Sequence, residues 1–156
     1  MKSSFKIANT SKEFEIAKIL FEEYAAALNV DLCFQGFDEE LKVIHVQYNL
    51  PKGCLMMVYD DDKAIGCAAI REFENATAEL KRMYLKPEYR GHKIGKTLLE
   101  LMIMKAKELG YTKIRLDTLP QMKKALQLYK KFGFIEIDSY RFNPVEGTVY
   151  MEKEIC

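Results

Sequence analysis

Apolar residues near the start of the chain recur at a helical spacing. They form one stripe that comprises Ile16, Ile19, Leu20, Tyr24 and Leu28. Thr10 or Ser11 is a candidate N-cap for this helix, and Asn29 is a candidate stop. The same pattern predicts a short strand over residues 5–8, a loop over 31–37 and a second short helix over 38–46. The first third of the chain is therefore predicted to be mainly helical.

The period changes at residue 54, where a continuous apolar run (CLMMVY) predicts a buried strand. Turn residues at 60–63 then give a hairpin. The later predicted elements are strands over 64–71 and 78–85, a long amphipathic helix over 95–109, a strand over 113–117, a helix over 121–132, and strands over 134–137 and 148–153. The resulting order, β-αα-βββ-α-β-α-ββ, predicts a mixed α/β (α+β) domain rather than an all-parallel one.

Length and composition limit the classes of protein that this chain can represent. Its 156 residues correspond to one domain, 1–156, without a linker or repeat. Lys plus Arg is 24 and Asp plus Glu is 23, a balance that gives no global attraction to nucleic acid or to an anionic membrane. The four cysteines lack C-x-x-C spacing, so we expect free thiols and no metal site. The absence of a signal-like or membrane-spanning apolar run predicts a cytoplasmic protein.

The segment YRGHKIGKTLL at 89–99 lies between a predicted strand and the long helix. Backbone N–H groups at a helix N-terminus, together with the helix dipole, form an anion site. Gly91 and Gly95 allow a close backbone approach, Arg90, Lys93 and Lys96 add positive charge, and His92 can add more. The segment matches neither G-x-G-x-x-G nor G-x-x-x-x-G-K-[ST], which disfavours a nicotinamide enzyme or nucleotide hydrolase. The alternative is an ordinary turn with solvated charges.

These residues resemble the GNAT superfamily of acyl-CoA-dependent N-acetyltransferases, whose pyrophosphate loop reads [QR]-x-x-G-x-[GA]. Arg90 and Gly95 fit this pattern, whereas Lys93 stands where the family usually has glycine. Further along, ALQLYKKFGF at 125–134 is similar to the family's A-x-x-L-Y-x-x-x-G-F segment. Met122 replaces an asparagine that is frequent in the family. The resemblance covers about residues 54–154 and implies one GNAT-like domain with a central, mostly antiparallel twisted sheet flanked by helices.

The resemblance also implies acetyl-CoA as co-substrate, no metal, and specific roles for residues. Glu79 corresponds to a general base acting directly or through water, and Tyr129 to an acid that protonates the CoA thiolate. The expected acetyl-CoA contacts are the strand residues Met83, Tyr84 and Leu85 and the loop residues Arg90, Gly91, His92, Lys93, Ile94, Gly95 and Lys96. Strand alternation predicts that Glu79, Lys81 and Met83 share one face.

Several alternatives stay open on the sequence. Glu79 can be an exposed strand residue paired with Lys81, and Tyr129 a half-buried core aromatic. The candidate acceptor-pocket residues are Glu23, Tyr24, Phe34, Gln35 and Phe37. The leading hypothesis is acetyl transfer to a primary amine of a small molecule or peptide by direct attack in a ternary complex. The rivals are an acyl-CoA sensor without turnover and an acetyltransferase of protein N-termini or lysines. A homodimer is also open.

Overall fold

A computed structural model describes residues 2–29 and 36–155 of the chain. Its helices are α1 Ser11–Leu28, α2 Phe37–Lys42, α3 Ile44–Gln47, α4 Ile94–Glu108 and α5 Lys123–Lys131. Its strands are β1 Ser3–Ile7, β2 Cys54–Asp60, β3 Lys63–Glu74, β4 Thr77–Leu85, β5 Lys113–Thr118, β6 Ile135–Ile137 and β7 Val149–Glu154. The strands form one sheet in the order β1-β2-β3-β4-β5-β7-β6.

The predicted fold class is confirmed, with one difference in the helices. Among the described strands, β4 and β5 pair in parallel and the other neighbours are antiparallel. The single helix predicted over 38–46 is wrong: the backbone leaves helical geometry at Val43 (φ −118°, ψ 20°), which divides the segment into α2 and α3. Most of the predicted loop over 31–37 lies outside the described residues.

Both faces of the sheet are covered, which gives the protein two packed cores. On one face, α4 buries Leu98, Leu99 and Met102 against the central strands. On the other face, α1 and α3 pack their apolar residues, including Phe21 and Ile44, against the same strands. Each such side chain contributes about 1.5–3 kcal/mol when fully buried. Because the central strands are buried on both faces, they hold the functional groups that they carry in fixed positions.

Strand β4 contains a β-bulge that reverses the predicted alternation of its side chains. Lys81 pairs with Ala69, but Tyr84 pairs with Cys67, so β4 advances three residues while β3 advances two. Arg82, in this interval, has a left-handed backbone (φ 56°). The prediction that Met83 shares a face with Glu79 and Lys81 is therefore wrong, because the extra residue turns Met83 toward the α4 core.

The bulge lies in the part of β4 that has separated from its parallel neighbour. The two strands pair only from Thr77 opposite Lys113 to Glu79 opposite Arg115. Beyond that point β5 continues along β7, and β4 continues along β3 as far as Leu85. The edge of residues 80–85 that faces β5 has no strand partner among the described residues. Its backbone groups are therefore available to an extended ligand.

Helix α1 begins with a capping box that also ties it to β1. Thr10 Oγ1 accepts a hydrogen bond from the Glu13 N–H (3.2 Å), and Glu13 Oε1 accepts from the N–H groups of Asn9 (3.0 Å) and Thr10 (3.1 Å). Lys6 Nζ lies 2.8 Å from Glu13 Oε2. Burial would raise the pKa of Glu13, but the bonds from Lys6, Asn9 and Thr10 outweigh it and lower the pKa to about 2.

We expect Glu13→Gln to reduce the free energy of unfolding at neutral pH by about 1 kcal/mol, the usual value of a helix cap. Because the folded pKa is depressed, this contribution is present above the ordinary pKa of about 4.3 and is lost as pH falls toward 2. Urea denaturation of both proteins across this range should show the two stabilities converging. Glu15→Gln, at an exposed position of α1, serves as the control. A deficit independent of pH would contradict the assignment.

Candidate active site

A cavity of about 880 Å³ opens where β4 and β5 separate. One wall is formed by residues 80–85 of β4, and the opposite wall by residues 116–119 at the end of β5. Tyr24, Ala27 and Leu28 of α1 close one end. The loop before α4 and the exposed lysines of α5 surround the other end. The cavity therefore lies along the free edge of β4 and reaches the N-terminus of the long helix.

The loop before α4 has the backbone conformation of an anion site. Gly91 (φ 88°) and Lys93 (φ 62°) both adopt left-handed geometry, and Lys93 is the N-cap of α4. No side chain caps the helix at this end, so its first N–H groups face the cavity mouth without a side-chain acceptor. The loop can therefore receive a phosphate group.

Positive charge dominates the cavity wall. The described cations that line it are Lys81, Arg82, Arg90, Lys93, Lys96, Lys123, Lys124 and Lys131. Asp117 is the one acidic residue among the described lining residues. A cleft of this charge concentrates polyanions such as a nucleotide with several phosphates.

The structure brings together most of the predicted acetyl-CoA contacts. Eight of the ten line the cavity, namely Met83, Tyr84, Leu85, Arg90, Gly91, Lys93, Gly95 and Lys96. His92 is exposed and Ile94 is buried in the α4 core, and neither belongs to the lining. Arg90 is oriented by two contacts: its Nε donates to the Leu85 carbonyl (3.0 Å), and its guanidinium lies over the Tyr84 ring (5.8 Å).

Tyr129 lines the cavity from α5 and is almost completely buried. Its ring packs against Phe134, with centroids 5.7 Å apart, and its hydroxyl donates to Met83 Sδ at 3.9 Å. Burial raises the pKa of Tyr129 well above its usual range, so the hydroxyl keeps its proton at neutral pH. The residue thus combines a core position with a proton that points toward β4.

Glu79 is completely buried, but it is not among the residues that line the cavity. Its Oε1 accepts from Arg71 (2.9 Å), and its Oε2 accepts from the Tyr140 hydroxyl (3.2 Å) and from Arg141. Burial would raise the pKa of Glu79, but Lys81, Arg141 and Arg71 outweigh it and lower the pKa. A carboxylate held by two arginines is a weak base, so this geometry does not favour the predicted base role. The exposed-strand alternative is wrong, since the side chain is inaccessible.

The acceptor-pocket candidates differ in their position relative to the cavity. Tyr24 lines the cavity, whereas Glu23 accepts hydrogen bonds from Lys86 (2.7 Å) and the Tyr84 hydroxyl (3.3 Å) at its edge. Phe37 lies under the Arg82 guanidinium at 5.4 Å. Phe34 and Gln35 lie outside the described residues.

Sequence reasoning missed six charged residues of the cavity wall, namely Lys81, Arg82, Lys123, Lys124, Lys131 and Asp117, and two of these bear on the chemistry. Lys81 is buried on β4, and burial lowers its pKa to about 7. Asp117 lies near the end of β5, and its Oδ2 atom is buried without a hydrogen-bond partner among the described residues. The charged side chain that terminates the apolar strand at 113–117 was a usable signal for Asp117, but nothing local to it revealed the separation of the strands.

Two other kinds of feature are absent from the described residues. None of the helices in residues 2–29 and 36–155 has the length and apolar character that a membrane span requires. In the same residues, no three His, Cys, Asp or Glu side chains are grouped so that they could bind a metal ion.

The chain also matches known proteins over most of its length. The profile of the Acetyltransferase (GNAT) family matches residues 17–134. The chain belongs to this family. An uncharacterised N-acetyltransferase of Schizosaccharomyces pombe is 35% identical over 97% of this chain and 94% of its own length. An uncharacterised N-acetyltransferase of Dictyostelium discoideum is 30% identical over 92% of this chain and 95% of its own length. The protein is therefore an acetyltransferase enzyme.

Solved structures agree with the fold of this GNAT chain. An acetyltransferase of Streptococcus agalactiae superposes with a TM-score of 0.79 over 97% of this chain and 98% of its own, at 23% identity. A GNAT family acetyltransferase of Elizabethkingia anophelis, solved with acetyl-CoA bound, superposes with a TM-score of 0.69 over 97% of each chain, at 20% identity. The overall fold of this chain is thus one that these acetyltransferases share.

We expect Glu79→Gln to destabilise this acetyltransferase by about 3 kcal/mol, since it leaves two arginines without their common counter-charge. Turnover per folded molecule should change by less than about tenfold, below the range of a lost base. Denaturation and acetylation assays measure the two effects separately. Glu74→Gln, at an exposed position near Arg115, is the control. Parental stability with a loss of about 10² or more in turnover would instead support the base role.

Proposed function

We propose that this protein transfers an acetyl group from acetyl-CoA to a primary amine of a small molecule or peptide, by direct attack in a ternary complex. The observation that carries the proposal is one continuous cavity that joins an anion-binding helix N-terminus to the free edge of β4. This arrangement fits an extended ligand with phosphates at one end and a reactive group at the other. The family assignment and the relatives' names support the same activity.

In this proposal the two ends of the cavity have different tasks. The loop from Arg90 to Lys96 holds the pyrophosphate through backbone N–H groups and positive side chains. The free edge at residues 83–85 binds the pantetheine arm as an added strand, and its N–H groups polarise the thioester carbonyl. The acetyl carbon then lies between β4 and β5, within reach of an amine that enters from the α1 end.

Tyr129 supplies a proton in the proposed reaction. The amine nitrogen attacks the carbonyl carbon, the carbon–sulfur bond breaks, and the electron pair leaves with sulfur. Because the Tyr129 hydroxyl donates to Met83 Sδ on the free edge of β4, its proton lies beside the expected thioester and can pass to that sulfur. A protein that only sensed acyl-CoA would not need a buried acid at this position, and nothing observed favours that rival.

The relatives whose names state an acceptor do not select one for this chain. The thialysine N-epsilon-acetyltransferase of Bos taurus is 39% identical over only 35% of this chain. The IAA acetyltransferase of Azospirillum brasilense is 32% identical over 58%. Both alignments leave much of the chain unmatched, so the acceptor has to be argued from the cavity.

Acetyl-CoA should stabilise the folded protein, by about 2.7 kcal/mol at a hundredfold excess over its dissociation constant. We expect Arg90→Glu and Gly95→Val to abolish most of this shift, because the first repels phosphate and the second fills its approach. Lys93→Gly should be tolerated, since glycine adopts the left-handed geometry of Lys93 without strain. Thermal melts with and without ligand measure all three effects.

Lys107→Glu, an exposed change at the far end of α4, is the matched charge control and should leave the acetyl-CoA shift intact. A parental protein whose melting temperature does not respond to millimolar acetyl-CoA or CoA would exclude the proposed co-substrate site. Equal affinity in Gly95→Val and the parent would mean that the pyrophosphate binds elsewhere.

Tyr129→Phe separates the proposed acid from the core aromatic. The ring and its packing against Phe134 are retained, so we expect normal folding and near-parental acetyl-CoA affinity. Turnover should fall at least about tenfold, because a general acid contributes about 10²–10⁴. Tyr59→Phe, half-buried on β2 and outside the cavity wall, is the control. Lower stability with unchanged turnover per folded molecule would assign Tyr129 to packing alone.

A further inference from the structure

The carboxylate of Asp117 has an unmet hydrogen-bonding capacity inside the cavity. Asp117 lies near the end of β5, on the wall opposite β4. Its Oδ2 atom is buried, yet none of the described residues donates a hydrogen bond to it. Buried carboxylate oxygens in folded proteins almost always have a donor. A donor that arrives with a ligand satisfies this requirement.

Asp117 is at the reacting end of the cavity rather than at the phosphate end. Two residues before it, Arg115 makes the last pairing of β5 with β4. Two residues after it, Leu119 is buried with Leu28 of α1. The negative charge of Asp117 also helps to raise the pKa of Tyr129 and of Tyr24. Tyr129 is the proposed proton donor to sulfur, and Tyr24 belongs to the end that α1 closes. A group bound to Asp117 is therefore close to the thioester in the proposed complex.

Apolar side chains form a large part of the wall around this end, beside the uncharged polar residues Thr118, Gln121 and Asn143. Leu28 and Leu119 are buried together, and Tyr24 and Met122 pack against them. All four also line the cavity. A ligand in this part of the cavity can therefore place an apolar group against this cluster while a donor reaches the carboxylate.

The cations near this end are poor partners for a carboxylate on the acceptor. Arg82 makes two hydrogen bonds to Glu40, Nε to Oε2 at 2.9 Å and Nη2 to Oε1 at 2.7 Å, and both side chains are buried. Lys81 is buried, and the lowering of its pKa to about 7 removes part of its charge at neutral pH. Lys123 and Lys124 are exposed on α5, at the open mouth of the cavity.

We infer that Asp117 binds the reacting nitrogen of the acceptor, and that the acceptor is a primary amine on an apolar body without an adjacent carboxylate, such as an alkylamine or arylalkylamine. The inference rests on the proposed acetyl transfer. The nitrogen donates a hydrogen bond to Oδ2 and forms the new bond to the acetyl carbon. The ammonium ion first loses one proton to solvent, which frees the nitrogen lone pair for attack. Asp117 takes the second proton as the amide forms, while Tyr129 gives its own to the departing sulfur, and solvent returns one proton from Asp117 to Tyr129.

The substrate class is tested first on the unaltered protein, with acceptors that differ only by a carboxylate. We expect kcat/KM to be at least about tenfold higher for 2-phenylethylamine than for phenylalanine, and for pentylamine than for 2-aminohexanoic acid. Free thiol release and acetylated product are both followed. Preference for the amino acids, or no acetylation of any of the four compounds by a protein that acetyl-CoA stabilises, would overturn the inference while leaving the co-substrate site in place.

The role of Asp117 is tested with Asp117→Asn, which keeps the shape and removes the charge, and with Asp117→Ala. We expect kcat/KM for the best amine to fall by about 10² or more in both, with an unchanged acetyl-CoA melting shift. Asp138→Asn, an exposed change between β6 and β7, is the matched control. Parental acceptor kinetics in either variant would overturn the assignment. If acetyl-CoA does not raise the melting temperature of the unaltered protein, the proposed function itself is contradicted.

Discussion

The buried ion pair between Arg82 and Glu40 is the interaction on which the site depends. Arg82 adopts a left-handed backbone in the middle of a central strand, a conformation that costs about 1–3 kcal/mol for a residue with a side chain. The extra residue redirects Met83 to one face, while Arg82 meets Glu40 of α2 on the other. Its guanidinium also lies over Phe37 of the same helix. One pair thus links the bulge to α2, whose Phe37 packs against the cluster of Leu28 and Leu119 in the cavity wall.

A second charged cluster is centred on Glu79 and lies outside the cavity wall. Glu79 joins Arg71 of β3 to Arg141 and Tyr140 of the connection between β6 and β7. That connection also contributes Asn143 to the cavity wall. The charges of the Glu79 cluster and of the Arg82–Glu40 pair neutralise one another and stabilise the fold. The cavity instead presents cations at its phosphate end and the carboxylate of Asp117 at its other end. This separation explains why Glu79, the acid of β4, is less well placed than Asp117 of β5 to meet a substrate.

The sequence was sufficient wherever structure is local. The N-cap at Thr10 or Ser11, the stop at Asn29 and the period change at residue 54 all predicted real element boundaries. The side-chain directions after Lys81 could not be predicted, because the bulge involves a partner 42 positions away in the chain. Asp117 was missed for a similar reason. Its importance comes from the separation of β4 and β5, which no local pattern in either strand encodes.

The loop before α4 shows how fold and ligand place different demands on glycine. At Lys93 the left-handed backbone would suit glycine better, yet a lysine occupies it and accepts some strain. At Gly95 the backbone is helical, and a Cβ atom built there would meet only Leu85 Cδ1 at 3.7 Å and Leu128 Cδ2 at 4.0 Å, which are ordinary contacts. The fold therefore has no need of glycine at 95, where glycine weakens a helix. Its presence is best explained by a ligand that has to approach the first turn of α4 closely.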